Sequence, residues 1–256
     1  MLPTARSLPF ILVLASFLAG TVSAWGQSET NPVFIARAEK AFHVAHTNYL
    51  AAPTNMANAI QFASACFDRS AFATNDGQRA ILAQLGIDAC RPLIGHSPKT
   101  AAGHYYLAMN LGELAQAEAP SMAAYRLVHE MEHEFKVAAE LDVAYDFGGP
   151  ARNLGELYFQ APAWPLSVGS KHKAKEWLDR AVAVAPGYPE NQLNLLEAHL
   201  KWRQREEAEK TLKTLDAIWP AARKQFTGAG REKDWVDWSA RRAALRTEFE
   251  QIYPAE

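Results

Sequence analysis

The chain has 256 residues, of which 49% are hydrophobic and 21% charged, and a formal net charge of −2. That is ordinary globular composition, with length for one or two compact units, and it excludes a disordered polyelectrolyte. Basic and acidic residues number 26 and 28 with no long run of either sign, so the electrostatic footprint of a nucleic-acid partner is absent.

Residues 1–24 stand apart. Arg6 precedes a short apolar run over residues 8–20, and Val22-Ser23-Ala24 places small side chains where a signal peptide is cut. The run, about 13 residues, falls short of the ~20 that cross a bilayer as a helix, and no later stretch is longer. A cleaved secretory signal is therefore expected, with a periplasmic or secreted product that carries no stable membrane anchor. Trp25 rather than Cys follows the cut, which leaves no cysteine for lipidation there. In an oxidising compartment an even cysteine count favours pairing, so Cys66 and Cys90 are a candidate disulfide. The alternative is two buried thiols packed as small apolar residues.

From residue 28 to 253 apolar residues recur at helical spacing, and no segment sustains the alternation of a strand. The expectation is an all-α chain forming one helical-repeat domain. Breakers at Pro53, Asn75-Asp76-Gly77, residues 95–98, Ala119-Pro120, Phe147-Gly148-Gly149-Pro150, residues 162–169, Pro186-Gly187, Pro220 and residues 227–230 delimit roughly ten helices.

Residues 129–134, HEMEHE, contain the H-E-x-x-H pattern of zinc hydrolases. At 100° per residue, Ala124, Leu127, Val128, Phe135 and Ala138 cluster within about 60° of Met131, forming one apolar stripe. His129 and His133 fall near the opposite pole with Arg126, Lys136 and Glu140, on a solvated face. A zinc enzyme also needs a third ligand and an open position. Lys136 and Ala139 occupy the places where the metzincin continuation has Gly and His. No phosphate loop, nucleophile elbow or Cys–His pair appears either. The expectation is a chain without catalytic residues, metal or cofactor, leaving His129 and His133 as a remote surface pair.

Further on, an internal repeat emerges. Leu154-Gly155-Glu156-Leu157-Tyr158 opens one unit, which continues with Ala174, Leu178, Ala181 and Pro186. Leu195-Leu196-Glu197-Ala198-His199 opens the next, and Ala208, Leu212, Leu215 and Pro220 repeat the spacings of four, three and five. The 34 residues from Pro186 to Pro220, with small residues at the helix crossing, form the tetratricopeptide signature. The units are expected at 148–186 and 187–220, with Pro98 and Tyr105-Tyr106-Leu107-Ala108 a weaker copy. Trp235, Trp238, Leu245 and Phe249 suit a capping helix over 231–253, with Arg241 and Arg242 expected toward solvent. The architecture predicted is an α-solenoid of stacked antiparallel helix pairs.

Tyr145-Asp146, Gly149-Pro150, Arg152, Leu154-Gly155, Ala161-Pro162-x-Trp164-Pro165, Gly169, Ala174, Ala185-Pro186 and Tyr188-Pro189-Glu190-Asn191 together resemble TatT, the T-component family of tetratricopeptide-like proteins associated with TRAP transporters. The resemblance spans roughly residues 60–225. It implies an exported helical-repeat scaffold that partners a periplasmic substrate-binding protein, an oligomer with ligand-accessible channels, and no catalysis.

Repeat register places Arg152, Asn153, Glu156, Phe159, Asn194 and Glu197 on the concave face, with Tyr105, Tyr106 and Asn110 in related places. Asn153 and Asn194 can hydrogen-bond an extended peptide, or else satisfy local backbone groups, and Arg152 can hold a carboxylate. The unit also carries an insertion over residues 160–170 containing Pro162, Trp164 and Pro165. Trp164 is either a binding residue on that loop or a plug between units. A small hydrophobic or carboxylate ligand in an oligomeric channel is the alternative to a protein partner.

Overall fold

The computed structural model describes residues 30–254; the expected signal segment and Trp25 lie outside them. Ten α-helices are present among the described residues: α1 (Pro32–Ala51), α2 (Met56–Ser70), α3 (Asp76–His96), α4 (Ala101–Ala117), α5 (Met122–Asp142), α6 (Tyr145–Gln160), α7 (Lys171–Val184), α8 (Pro189–Lys201), α9 (Arg205–Gln225) and α10 (Glu232–Ile252). A 3₁₀ turn, Ala229–Arg231, leads into α10. Helix starts are written locally. Asn31, Asn55, Asn75, Ser121 and Ser170 each accept a hydrogen bond from a backbone N–H in the first turn of the helix they cap, and Pro32 and Pro189 sit in first turns.

The helices stack as antiparallel pairs, α2/α3, α4/α5, α6/α7 and α8/α9. Within this array α2, α4, α6 and α8 also touch their next-but-one neighbours, and α10 continues the inner row by packing on α8. The result is an all-α solenoid. Its inner row is enclosed: every residue of α4 from Gly103 to Ala115 and every residue of α6 from Gly148 to Tyr158 is buried. A helix covered on all sides has no solvated face for its polar residues, so each needs an internal partner.

The array curls until its ends meet. Arg37 of α1 donates to the carbonyl of Ala229 and pairs with Glu232 at 3.0 Å, while Phe34 and Ala38 pack on Phe72. An aromatic cluster of Tyr188, Phe226, Trp235 and Trp238 docks α10. Two expectations are corrected here. Pro220 lies inside α9 rather than ending its unit, because Ala222 and Phe226 beyond it are buried in that cluster and the helix continues despite the lost N–H. Arg241 is buried, not solvent-facing, and donates to Asn194 Oδ1 and Glu197 Oε2, both at 2.8 Å. Arg242 is half-buried, bound to Asp216.

Cys66 and Cys90 are free thiols rather than a disulfide, fully buried on the packed faces of α2 and α3 as small apolar residues. Burial pushes both thiols far up, away from the reactive thiolate. Neither should react with a thiol reagent in the native chain, and both should react once it is unfolded; rapid native labelling contradicts this packing.

Candidate functional site

Most of the side chains expected in the groove are brought together, but inside the protein. Tyr105, Tyr106, Asn110, Arg152, Asn153, Glu156 and Asn194 are each 5% exposed or less. Asn153 donates to Tyr105 Oη and lies against Met109, while Asn110 donates to the carbonyls of Ala63 and Tyr106. Phe159 is half-buried, edge-on to Trp202. These residues join inner helices to one another.

At the start of α6, Asp146, Phe147 and Gly148 adopt left-handed backbone angles, with φ of 49°, 55° and 83°. For Asp146 and Phe147 this conformation costs about 1–3 kcal/mol each and persists only where surroundings over-determine it. They do so here. Arg152 binds the Asp146 carboxylate at 2.8 Å, the Asp146 and Phe147 carbonyls at 3.3 and 3.4 Å, and Asn191 Oδ1 at 3.1 Å. Asn191 also donates to the Phe147 carbonyl, and Tyr105 donates to Asp146 Oδ2. The Phe147 ring stacks on Tyr188 at 4.9 Å and meets Phe226 edge-on. Burial pushes the Asp146 carboxyl up to about 6, against the pull of Arg152 and Arg231, and Asp234 is raised to about 6 by burial against Arg231.

The turn aims Phe147 into a cleft of about 800 Å³ where the two ends of the array face each other. Along α1 its wall is Arg37, Lys40 and Val44; opposite stand Phe226 and Arg231, with α2 between. Arg37 and Arg231 are held by Glu232 and Asp234, whereas Lys40 and Val44 are exposed. None of the groove residues expected from the repeat register lines this cleft. Its walls come from segments nearly 200 residues apart, and the one local sign of it, Phe147-Gly148-Gly149-Pro150, reads in sequence as a helix breaker.

Trp164 is no plug: it is 84% exposed on the loop between α6 and α7. His129 and His133 are likewise exposed, while Met131 on the same helix is fully buried. No group of three or more His, Cys, Asp or Glu side chains suited to a metal occurs among the described residues.

No protein-family model matches the chain, and no curated protein matches it. Among solved structures it is similar to a thermophilic tetratricopeptide-repeat protein of Thermus thermophilus, with 15% identity and a TM-score of 0.60 over 83% of this chain and 92% of that one. At that identity the likeness is one of fold. The chain is an all-α helical-repeat protein of the tetratricopeptide-like kind.

Proposed function

We propose that the chain is an exported, non-catalytic scaffold that binds a protein partner in the cleft between α1–α2 and the α9–α10 junction. The partner it would serve is the periplasmic substrate-binding protein of a TRAP-type transport system, as the resemblance to TatT implies. The observation that carries this reading is the cleft, open and lined by apolar Val44, Phe147 and Phe226 beside exposed Lys40, with Asp68 and the acid-paired Arg37 and Arg231 also on its walls. Such a surface suits an apolar segment bearing a carboxylate. The buried residues Arg152, Asn153, Glu156 and Asn194 then serve by holding the inner helices in place, not by touching the partner.

The test uses two substitutions on the exposed wall of α1. Val44→Trp obstructs the cleft and Lys40→Glu reverses its charge, and each should weaken capture of the candidate binding protein by about tenfold or more while thermal unfolding stays unchanged. Equal capture by both variants would sink the cleft as the binding surface.

A second reading has its own support. The volume of about 800 Å³ lies within the range of small-molecule pockets, and a carboxylate ligand with an apolar tail fits the same walls without any oligomer. Native mass spectrometry separates the readings: a bound small acid, lost in Val44→Trp, favours the ligand, and an empty cleft with intact partner capture favours the scaffold.

A further inference from the structure

The loop over residues 161–170 presents Trp164 at 84% and Leu166 at 66% exposure, the former the most exposed large apolar side chain among the described residues. The loop is closed at its base. Gly169 N–H donates to the Pro162 carbonyl and Ser170 N–H to that of Tyr158, both at 2.9 Å, and Leu166 N–H donates to the Ala163 carbonyl at 3.1 Å. Ser167 is turned inward, and a Cβ at Gly169 would collide with the Ala161 carbonyl oxygen. The strand of bonds leaves Trp164, Pro165 and Leu166 as a convex tip facing solvent.

Beside this tip the local rules of helix design are broken. Helix α7 opens with Lys171, His172 and Lys173, all exposed, and has no acid in its first turn. A helix N-terminus carries partial positive charge, which favours acids and disfavours cations. The charges are only lightly answered: the Lys171 ammonium lies 5.3 Å over the Trp202 ring, and that of Lys173 lies 4.9 Å over the Tyr158 ring and 3.9 Å from Glu132. Glu132 is itself taken by Lys136 at 2.7 Å and by the Tyr158 hydroxyl at 2.5 Å. One turn further on, Lys175 pairs with Asp179.

We propose that this tip is a reversible docking site for a membrane surface containing anionic phospholipid. Trp164 and Leu166 enter the interfacial layer, while Lys171 and Lys173 lie among the headgroup phosphates. An aromatic and an aliphatic side chain bordered by lysines is the combination that such interfaces take up. The occupant is a bilayer rather than a protein because the apolar element is a projecting knob of three residues fringed by charge. A stable protein interface buries about 800 Å² on each side around a packed centre, whereas a bilayer deforms around a knob. The complementary charge is negative, and no helix among the described residues is long and apolar enough to cross a membrane by itself. The site is independent of the cleft and of what the cleft binds.

The test is sedimentation of the full chain with vesicles of phosphatidylcholine, with and without phosphatidylglycerol, comparing the parent with two double variants. Binding should require phosphatidylglycerol and weaken with salt. Trp164→Ser/Leu166→Ser should reduce the partition coefficient by about tenfold or more. Lys171→Gln/Lys173→Gln should reduce it by about fivefold per lysine. All four positions are exposed, so unfolding curves should coincide with the parent. The proposal is overturned if the chain fails to sediment, if it sediments equally with phosphatidylcholine alone, or if either pair leaves the partition unchanged. It is also overturned if the tryptophan pair abolishes capture of a protein while vesicle binding persists.

Discussion

Replacing Arg152 with methionine should destabilise the chain by about 3–5 kcal/mol, the cost of removing one partner from a buried ion pair. The guanidinium is 1% exposed and is the common acceptor-binding centre for the Asp146 carboxylate, the Asp146 and Phe147 carbonyls and Asn191 Oδ1. Without it the Asp146 carboxylate keeps Tyr105 and the Phe147 carbonyl keeps Asn191, but the left-handed turn loses both Arg152 bonds to its carbonyls. Asp146 already titrates near 6, so in the variant it should stay protonated at neutral pH and spare part of the loss. The penalty should therefore be smaller at about pH 5 than at about pH 8. Urea unfolding followed by circular dichroism reads the effect. Arg152→Met/Asp146→Asn should recover part of it, because that pair removes the Asp146 charge together with its partner, while buried Glu190 still loses the nearby guanidinium. A single-variant cost below about 1 kcal/mol would mean that the turn holds itself.

This arginine also marks where sequence reading stops. Apolar spacing reports which face of a helix is buried against one neighbour, and it located the helix pairs and the stripe through Met131. Asparagine and serine caps and the 34-residue register are local or near-local signals. The inner helices give no such signal, because α4, α6 and α8 are covered on nearly every side and still carry Asn110, Arg152, Asn153, Glu156 and Asn194. Read by repeat position these look like groove residues. What decides otherwise is their partners, which lie 39 residues away for Arg152 with Asn191, 48 for Asn153 with Tyr105 and 47 for Asn194 with Arg241. Closure of the array brings Arg37 against Ala229 and Glu232, 192 and 195 residues away, and the cleft lies between the ends so joined. The Trp164 loop was legible as an insertion with rigid, aromatic residues; its exposure was not, since a tryptophan plugging a gap would have the same sequence.

The stability of the chain should fall as pH rises from about 4.5 to about 8, and Glu156→Gln should flatten that slope. Glu156 is buried on α6, where burial, then the charge of Glu197, push its carboxyl from 4.5 up to about 8 against the opposing pull of Arg241. Below the ordinary carboxylate range both folded and unfolded chains hold the proton. Between the two values the unfolded chain releases it and the folded chain keeps it, so each pH unit costs about 1.4 kcal/mol of folding free energy. The loss is complete above the folded-state value, where both states are ionised and it stays constant. Glutamine removes the titration but keeps an oxygen to accept from Gln160, which donates to Glu156 Oε2 at 2.7 Å. Its amide N–H groups add a cost of about 1–3 kcal/mol if one finds no acceptor. The variant should therefore be no more stable than the parent at about pH 5 and should overtake it by about pH 9. Because Arg241 carries α10 onto α8 through Glu197 and Asn194, beside Glu156, the same titration should loosen the C-terminal helix first. Protection of α10 amides, corrected for base-catalysed intrinsic exchange, should fall across this window in the parent and fall less in Glu156→Gln, where buried Asp234 on α10 still titrates. Parallel stability curves for the two proteins would show that Glu156 is ionised in the fold and that its neighbours pay nothing for it.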